Sequence, residues 1–216
     1  MPRVLILGAG GHAQVVADIL FRAEEVGGDC QPMGFLDNNP SIAGTVIMGL
    51  PVLGEIGQLS EFEHDAVVIA MGDNIVRASV FDSAREGGER FVNAVHPDAV
   101  LAPDVRLGEG VVICARVAVN TGTEIGDNVI LNTGCTVDHH TRIGAHAHVA
   151  PGGHLAGDVR VGEGALIGIG SAIIPDRSVG DWAVVGAGAA VVRDVPAYTT
   201  AVGVPAAVIK RQEPKR

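Results

Sequence analysis

The sequence predicts two architectures in series: an α/β, Rossmann-like βαβ domain, then a parallel β-helix built from hexapeptide repeats. Three observations carry this reading. Apolar strands alternate with helix-period segments up to about residue 92, and beyond it an aliphatic residue recurs at every sixth position. Aromatic residues make up only 3 % of the chain, while glycine numbers 30. A core without large rings must be filled by stacked Val, Ile, Leu and Ala, and glycine at that density implies many tight backbone corners.

In the first part, "VLILG" (Val4 to Gly8) is a continuous apolar strand. The segment after it places Val15, Val16, Ile19 and Leu20 at helical spacing. "MGFLD" (Met33 to Asp37) is a second strand that ends in the turn "NNP". "DAVVIAMG" (Asp65 to Gly72) is a third, followed by a helix through Val76, Val80, Phe81 and Ala84. Strands alternating with helices imply a small parallel sheet with right-handed crossovers.

From Val95 the period changes to six. Val95, Leu101, Leu107, Ile113, Val119, Ile125, Leu131, Val137, Ile143, Val149, Leu155, Val161, Ile167, Ile173, Val179, Val185 and Val191 are all Val, Leu or Ile. Small or β-branched residues recur four positions after the aliphatic, as at Val105, Val111, Val117 and Thr123, and glycine often follows it, as in Ile125-Gly126 and Ile143-Gly144. One inward aliphatic per short strand, with glycine-containing corners, makes three hexapeptides one triangular coil of about eighteen residues. The tail "VGVPAAVIKR" is expected to cover one end of the stack and the α/β half the other.

Composition narrows the function. Lys and Arg total 15 against 25 Asp and Glu, a formal charge of −10, which argues against a broad footprint for nucleic acid or an anionic membrane. Cys30, Cys114 and Cys135 form no C-x-x-C pair, so neither a disulfide framework nor a zinc knuckle is expected. The start "MPRVLILGAGGH" lacks the apolar stretch of a signal peptide, and no run approaches the roughly 18 apolar residues of a membrane span. The expectation is a soluble, cytoplasmic protein.

Gly8, Gly10 and Ala13 fit the G-x-G-x-x-G/A turn after a first strand, and Asp37 ends the second strand, where a ribose-binding carboxylate sits in dinucleotide folds. The unit is short, however, and has no second mononucleotide half, which argues against a working NAD site. Two readings stay open: a tight strand-to-helix turn and no more, or a turn that grips a substrate.

Taken together, "GAGGHA" (Gly8 to Ala13), "GFLD", "DHHTRIGAHAHVAPG" from Asp138, "IGIGSAIIPD" from Ile167, "VGAGAAVVRDVP" from Val185 and "GVPA" from Gly203 resemble the bacterial sialic-acid and nucleotide-amino-sugar acetyltransferases. The resemblance covers nearly the whole chain. It implies a nucleotide-sugar-binding α/β domain over residues 1–92 and a left-handed β-helix acetyltransferase domain with its tail over 93–216. It further implies a homotrimer that N-acetylates a UDP-, GDP- or dTDP-linked 4-amino-4,6-dideoxy sugar for bacterial glycans, with acetyl-CoA as co-substrate and no metal required.

Residue by residue, the resemblance assigns Gly10, Gly11, His12, Asp37, Asn38 and, more weakly, Gly72 to the nucleotide sugar. The base is His139. The family places an acidic residue directly after it, and here that position is His140. Either His140 orients the ring as a neutral imidazole or Asp138 supplies the carboxylate from the other side, and a neutral partner raises the basicity of His139 less than a carboxylate would. His148 matches a histidine near the thioester end of acetyl-CoA, and Gly157, Ile169 and Ala187 match its main-chain contacts. Lys210 and Arg211 are either attractors of CoA phosphates or ordinary tail charges, while His146 and His154 are expected at the surface or at corners.

Three other functions fit parts of the pattern. O-acetylation of a sialic acid or serine-like acceptor uses the same fold and asks more of the base, because a hydroxyl is harder to deprotonate. A zinc hydrase of the γ-carbonic-anhydrase type needs H-x-x-x-x-H, which this chain lacks. A non-catalytic trimeric scaffold would bind no acetyl-CoA.

Overall fold

A computed structural model describes residues 1–211. The chain forms two compact units, Met1–Pro97 and Asp98–Arg216. They have the two expected architectures, an α/β Rossmann-like domain and a left-handed parallel β-helix.

In the first unit β1 (Arg3–Leu7) is the buried centre of the sheet, with Val4 through Leu7 fully inaccessible. Parallel to it lie β2 (Gln31–Leu36) on one side and, on the other, a strand over Ala66–Ile69. Between these two in sequence, Val46–Ile47 (β3) and Leu50–Gly54 (β4) form a hairpin that the sequence pattern did not reveal. Its two-residue turn, Met48-Gly49, has positive φ at both positions, as primed hairpin turns require. β4 then pairs parallel to β2, so with Ala66–Ile69 as β5 the order is β3-β4-β2-β1-β5. The direction of strand addition reverses between β1 and β5, the switch point where open α/β sheets hold ligands.

α1 (Gly11–Glu25) buries Ala13, Val16, Ala17, Ile19 and Leu20, and α2 (Asn74–Glu86) buries Arg77, Ala78, Phe81 and Ala84. Val15 and Val76, expected inward, lie on the solvent side of their helices. In each case the buried stripe is completed by small residues, Ala13 and Ala17 or Ala78 and Ala84, which let the helix approach closely. The core joins Leu5, Leu7, Leu36, Val67, Ile69 and Phe81, and Phe81 stacks on Phe91 at 4.1 Å.

The prism is made of two-residue strands, each ending on the six-residue aliphatic. Successive coils pair in register at a spacing of eighteen: Ala118 and Val119 with Thr136 and Val137, these in turn with His154 and Leu155. From Ile113 to Val191 none of the repeating aliphatics is more than 4 % exposed. Burying each contributes about 1.5–3 kcal/mol, which is how the core holds without aromatic rings.

The corners differ from the sequence expectation. Every sixth residue from Gly110 to Gly188 has left-handed backbone, and that position lies three residues after the aliphatic. Glycine fills only half of these corners; Arg116, Asn128, His140, His146, Asp158, Asp176 and Trp182 fill the rest. The glycines directly after the aliphatic have another purpose. A Cβ on Gly126 would stand 2.7 Å from the backbone nitrogen of Ala145, and one on Gly144 equally close to that of Glu163. They let adjacent coils touch and do not turn the chain.

At the C-terminal end, Thr199–Val202 continues one face beyond Val184–Val185. The turn after it lies across the last rung, where Ala190 N donates to Gly203 O and Ala206 N donates to Ala190 O. Ala207–Arg211 folds back antiparallel and is exposed throughout, Lys210 and Arg211 included. No helix among the described residues is long and apolar enough to cross a membrane.

Candidate active site

Two places gather the residues singled out by sequence, one in each unit. In the first, β1 runs into Gly8, whose φ of +107° and the 3.0 Å that would separate an added Cβ from Ala70 O disfavour any side chain. Gly10 and Gly11 follow, exposed and with open space around them, at the start of α1. No side chain caps this helix, so its first N–H groups are offered outward, the arrangement that receives a phosphate. Gly72, also exposed with open space around it, follows β5 on the other side of the switch point.

The acidic turn after β2 fastens the loops. Asp37 accepts from Ala9 N at 2.7 Å through one oxygen and from Asn39 N at 2.8 Å through the other. Asn38 Oδ1 accepts from Ile56 N at 3.0 Å. His12 is largely buried in the first turn of α1. Desolvation, aided by the charge of Arg77, lowers its pKa to about 4 and makes it a neutral ring at physiological pH. Arg77, fully buried, donates to Met71 O, and burial lowers its own pKa to about 10, so it still carries a positive charge. Sequence reading overlooked this cation because its helical position reads as an ordinary surface arginine.

In the prism, His139 and His140 occupy a corner. Their Nδ1 atoms lie 3.1 Å apart, with ring planes at 77°. One nitrogen must donate and the other accept. If His139 is to take a proton on Nε2, it must carry hydrogen on Nδ1 and give it to His140. Each ring rests on a glycine of a neighbouring coil: Gly122 lies one coil before His140, and Gly157 one coil after His139. A Cβ on Gly157 would overlap the His139 ring. Gly157, expected as a contact to CoA, is thus buried beneath the histidine and is what gives that ring its seat.

Asp138 does not turn its carboxylate to the ring of His139. Its Oδ1 accepts from the backbone N–H of His139 and from Asn120 Nδ2, both at 2.8 Å. These bonds, the main-chain one foremost, hold its pKa below the ordinary aspartate value. The carboxylate beside the ring is Asp158, whose Oδ2 is 3.9 Å from His139 Nδ1. It was missed because it is remote in sequence, yet it stands one coil after His140 in the same corner column, and coil arithmetic would have found it. Asp104 adds further negative charge near His140. The Thr121 hydroxyl and then Gly122 N hold it ionised, with its pKa lowered.

His148 is half-buried on a face of the prism, its Nε2 3.1 Å from Asn132 Nδ2. Ile169 and Ala187 are exposed and stack one coil apart at another corner. His146 is at a corner but buried, against Asn128, while His154 is exposed and shares a hydrogen bond with Thr136 Oγ1.

An α/β unit whose first helix opens on an uncapped glycine turn, joined to a hexapeptide prism that displays a paired histidine, has the architecture of the two-unit, repeat-class acyltransferases. Residues 3–84 match the model of the PglD N-terminal domain. The chain is similar to PerB from Caulobacter crescentus, solved in complex with CoA and GDP-perosamine, at 41 % identity and TM-score 0.86 over 96 % of this chain and 97 % of that one. It is similar to the acetyltransferase domain of PglB from Neisseria gonorrhoeae, solved with acetyl coenzyme A, at 34 % identity and TM-score 0.88 over 96 % and 98 %. UDP-N-acetylbacillosamine N-acetyltransferase from Bacillus subtilis is 32 % identical over 117 residues, or 53 % of this chain; the match spans 52 % of that curated relative's length. The chain belongs to the bacterial sugar N-acetyltransferases with a hexapeptide-repeat, left-handed β-helix.

Proposed function

We propose that this protein transfers the acetyl group of acetyl-CoA to the amine of a nucleotide-linked 4-amino-4,6-dideoxy sugar, GDP- or UDP-linked and of the perosamine type. One observation carries the reading: an exposed histidine, His139, has its Nδ1 engaged by His140, in a chain 41 % identical over nearly its full length to a protein solved with CoA and GDP-perosamine. The N–H groups at Gly10 and Gly11 receive the diphosphate, with Gly72 beside them across the switch point. His12, neutral, and the Asp37–Asn38 turn complete the nucleotide site.

The amine attacks the thioester carbonyl directly. His139 Nε2 takes the proton lost by the amine, main-chain N–H groups hold the oxyanion, and the CoA thiolate leaves as the C–S bond breaks. His140 accepts a hydrogen bond from Nδ1 of His139, and the Asp158 carboxylate stands beside the same nitrogen. Asp138 positions the main chain of His139. His148, Ile169 and Ala187 line the path of CoA, and Gly157 contributes by seating the base. The working protein is a cytoplasmic homotrimer, which sedimentation tests.

The deciding experiment follows release of CoA thiol with GDP-, UDP- and dTDP-linked 4-amino sugars in turn. Turnover with GDP-perosamine or a UDP-linked analogue is expected. Turnover only with a hydroxyl acceptor would replace the reading with O-acetylation, and absence of saturable acetyl-CoA binding would end it.

A further inference from the structure

His140 follows His139 at a prism corner, and Asp158 stands one coil after it, which brings together three ligating groups. His139, His140 and Asp158 offer two imidazole nitrogens and a carboxylate oxygen, all within 4.8 Å of one another. A zinc-type cation binds nitrogen at about 2.0–2.1 Å, and tetrahedral angles then set neighbouring donor atoms about 3.3 Å apart. Here the two Nδ1 atoms are 3.1 Å apart, the carboxylate oxygen is 3.9 Å from the first, and no pair of ligand atoms exceeds 4.8 Å, so side-chain rotation alone, with the backbone in place, brings them to a common cation. The backbone is already fixed by the left-handed corners of His140 and Asp158. All three side chains are exposed, which leaves a fourth position for water. Two further carboxylates stand beside the corner: Asp138 accepts from His139 N, and Asp104 accepts from Gly122 N, under the His140 ring.

We propose that this corner is a site for a borderline divalent cation, of the Zn²⁺, Co²⁺ or Ni²⁺ class, and that the cation switches the base off. Two imidazoles and one carboxylate select these metals over Mg²⁺ and Ca²⁺, which prefer all-oxygen sites. A neutral imidazole has one nitrogen lone pair in its plane. When Nδ1 of His139 gives that pair to the metal, the ring's proton sits on Nε2, and no nitrogen remains to accept a proton from the amine. Inhibition therefore needs no blockage of the acetyl-CoA or sugar sites. The inhibitory part rests on His139 being the base, as proposed above; the binding part does not.

The test uses the full chain freed of metal by a chelator. Calorimetry with Zn²⁺, and visible absorption with Co²⁺ as probe, are expected to give one cation per chain and a four-coordinate spectrum. His140→Asn and Asp158→Asn, both suited to a left-handed corner, should each weaken binding by about tenfold or more, whereas His154→Asn should leave it unchanged. Melting curves check that the variants remain folded. Zn²⁺ should inhibit acetyl transfer reversibly in the parent chain, and the same concentration should not lower whatever activity His140→Asn retains. Absence of stoichiometric binding, or binding indifferent to both corner substitutions, overturns the site. Binding without inhibition overturns the switch. Absence of sugar acetylation, with calorimetry as expected, would fault the proposed reaction and leave the site standing.

Discussion

His140 and His146 occupy the same position of the six-residue repeat and have nearly the same backbone, with φ of 56° and 60°. Their surroundings are opposite. His146 is 8 % exposed and hydrogen-bonds through Nδ1 to Asn128, one coil earlier in its own corner column. His140 is exposed and meets His139, its chain neighbour, with Gly122 one coil before and Asp158 one coil after. The repeat therefore dictates the backbone of both histidines and the chemistry of neither. What a corner histidine can do is decided by the residues stacked above and below it.

Four perturbations break or sharpen that contrast. The largest effect is expected from His139→Asn: turnover should fall by about 10²–10⁴-fold with acetyl-CoA binding and melting temperature retained, as steady-state kinetics and calorimetry would report. Near-parent turnover would return the exposed corner to the same structural status as His146.

A pH titration of stability contrasts both corners with a third histidine. Burial lowers the pKa of His12 to about 4 from an ordinary 6.5, so between those values the unfolded chain binds the extra proton. Stability supplied by the neutral ring is complete above about pH 6.5 and declines toward pH 4, by roughly 3 kcal/mol in all. Denaturant melts across that range should show the slope, and His12→Gln should flatten it.

Gly157→Ala comes next. The added methyl displaces the His139 ring, and a misplacement on the order of 1 Å costs about 10²-fold in turnover. The loss should appear in kcat more than in KM for either substrate. The smallest effect is expected at the buried corner, where Asn128→Gly keeps the left-handed backbone but removes one hydrogen-bond partner of His146. It should cost about 1–2 kcal/mol in chemical denaturation and leave turnover unchanged.

The prism was legible in the sequence because each strand has only two residues, and the inward one must be aliphatic in every coil. The left-handed corners were not legible: the glycines that stand out, Gly126 and Gly144, directly follow the aliphatic and let coils touch, while the corners lie two residues further on, where Asn128, His140 and Asp158 hold the conformation as well as glycine does. In the first unit the β3–β4 hairpin escaped notice, since two residues of β3 show no alternation and Met48-Gly49 is not a familiar turn pair. The site was legible wherever side chains are neighbours in sequence, as with His139 and His140. It was not legible at Asp158 or Asn132, nor in the place of Gly157 beneath His139, since these partners lie a coil away, nor at Arg77, whose burial depends on the packing of a whole helix.

The corner columns set a rule for how such a chain can change in length. Removing six residues from a coil between His140 and Asp158 would keep every aliphatic and every left-handed corner in phase, and the stack could close again. Asp158 would then sit a third of a turn away, on a different edge from His139. The fold tolerates steps of six, while the constellation at His139 survives only steps of eighteen, so an insertion harmless to folding can silence the site outright.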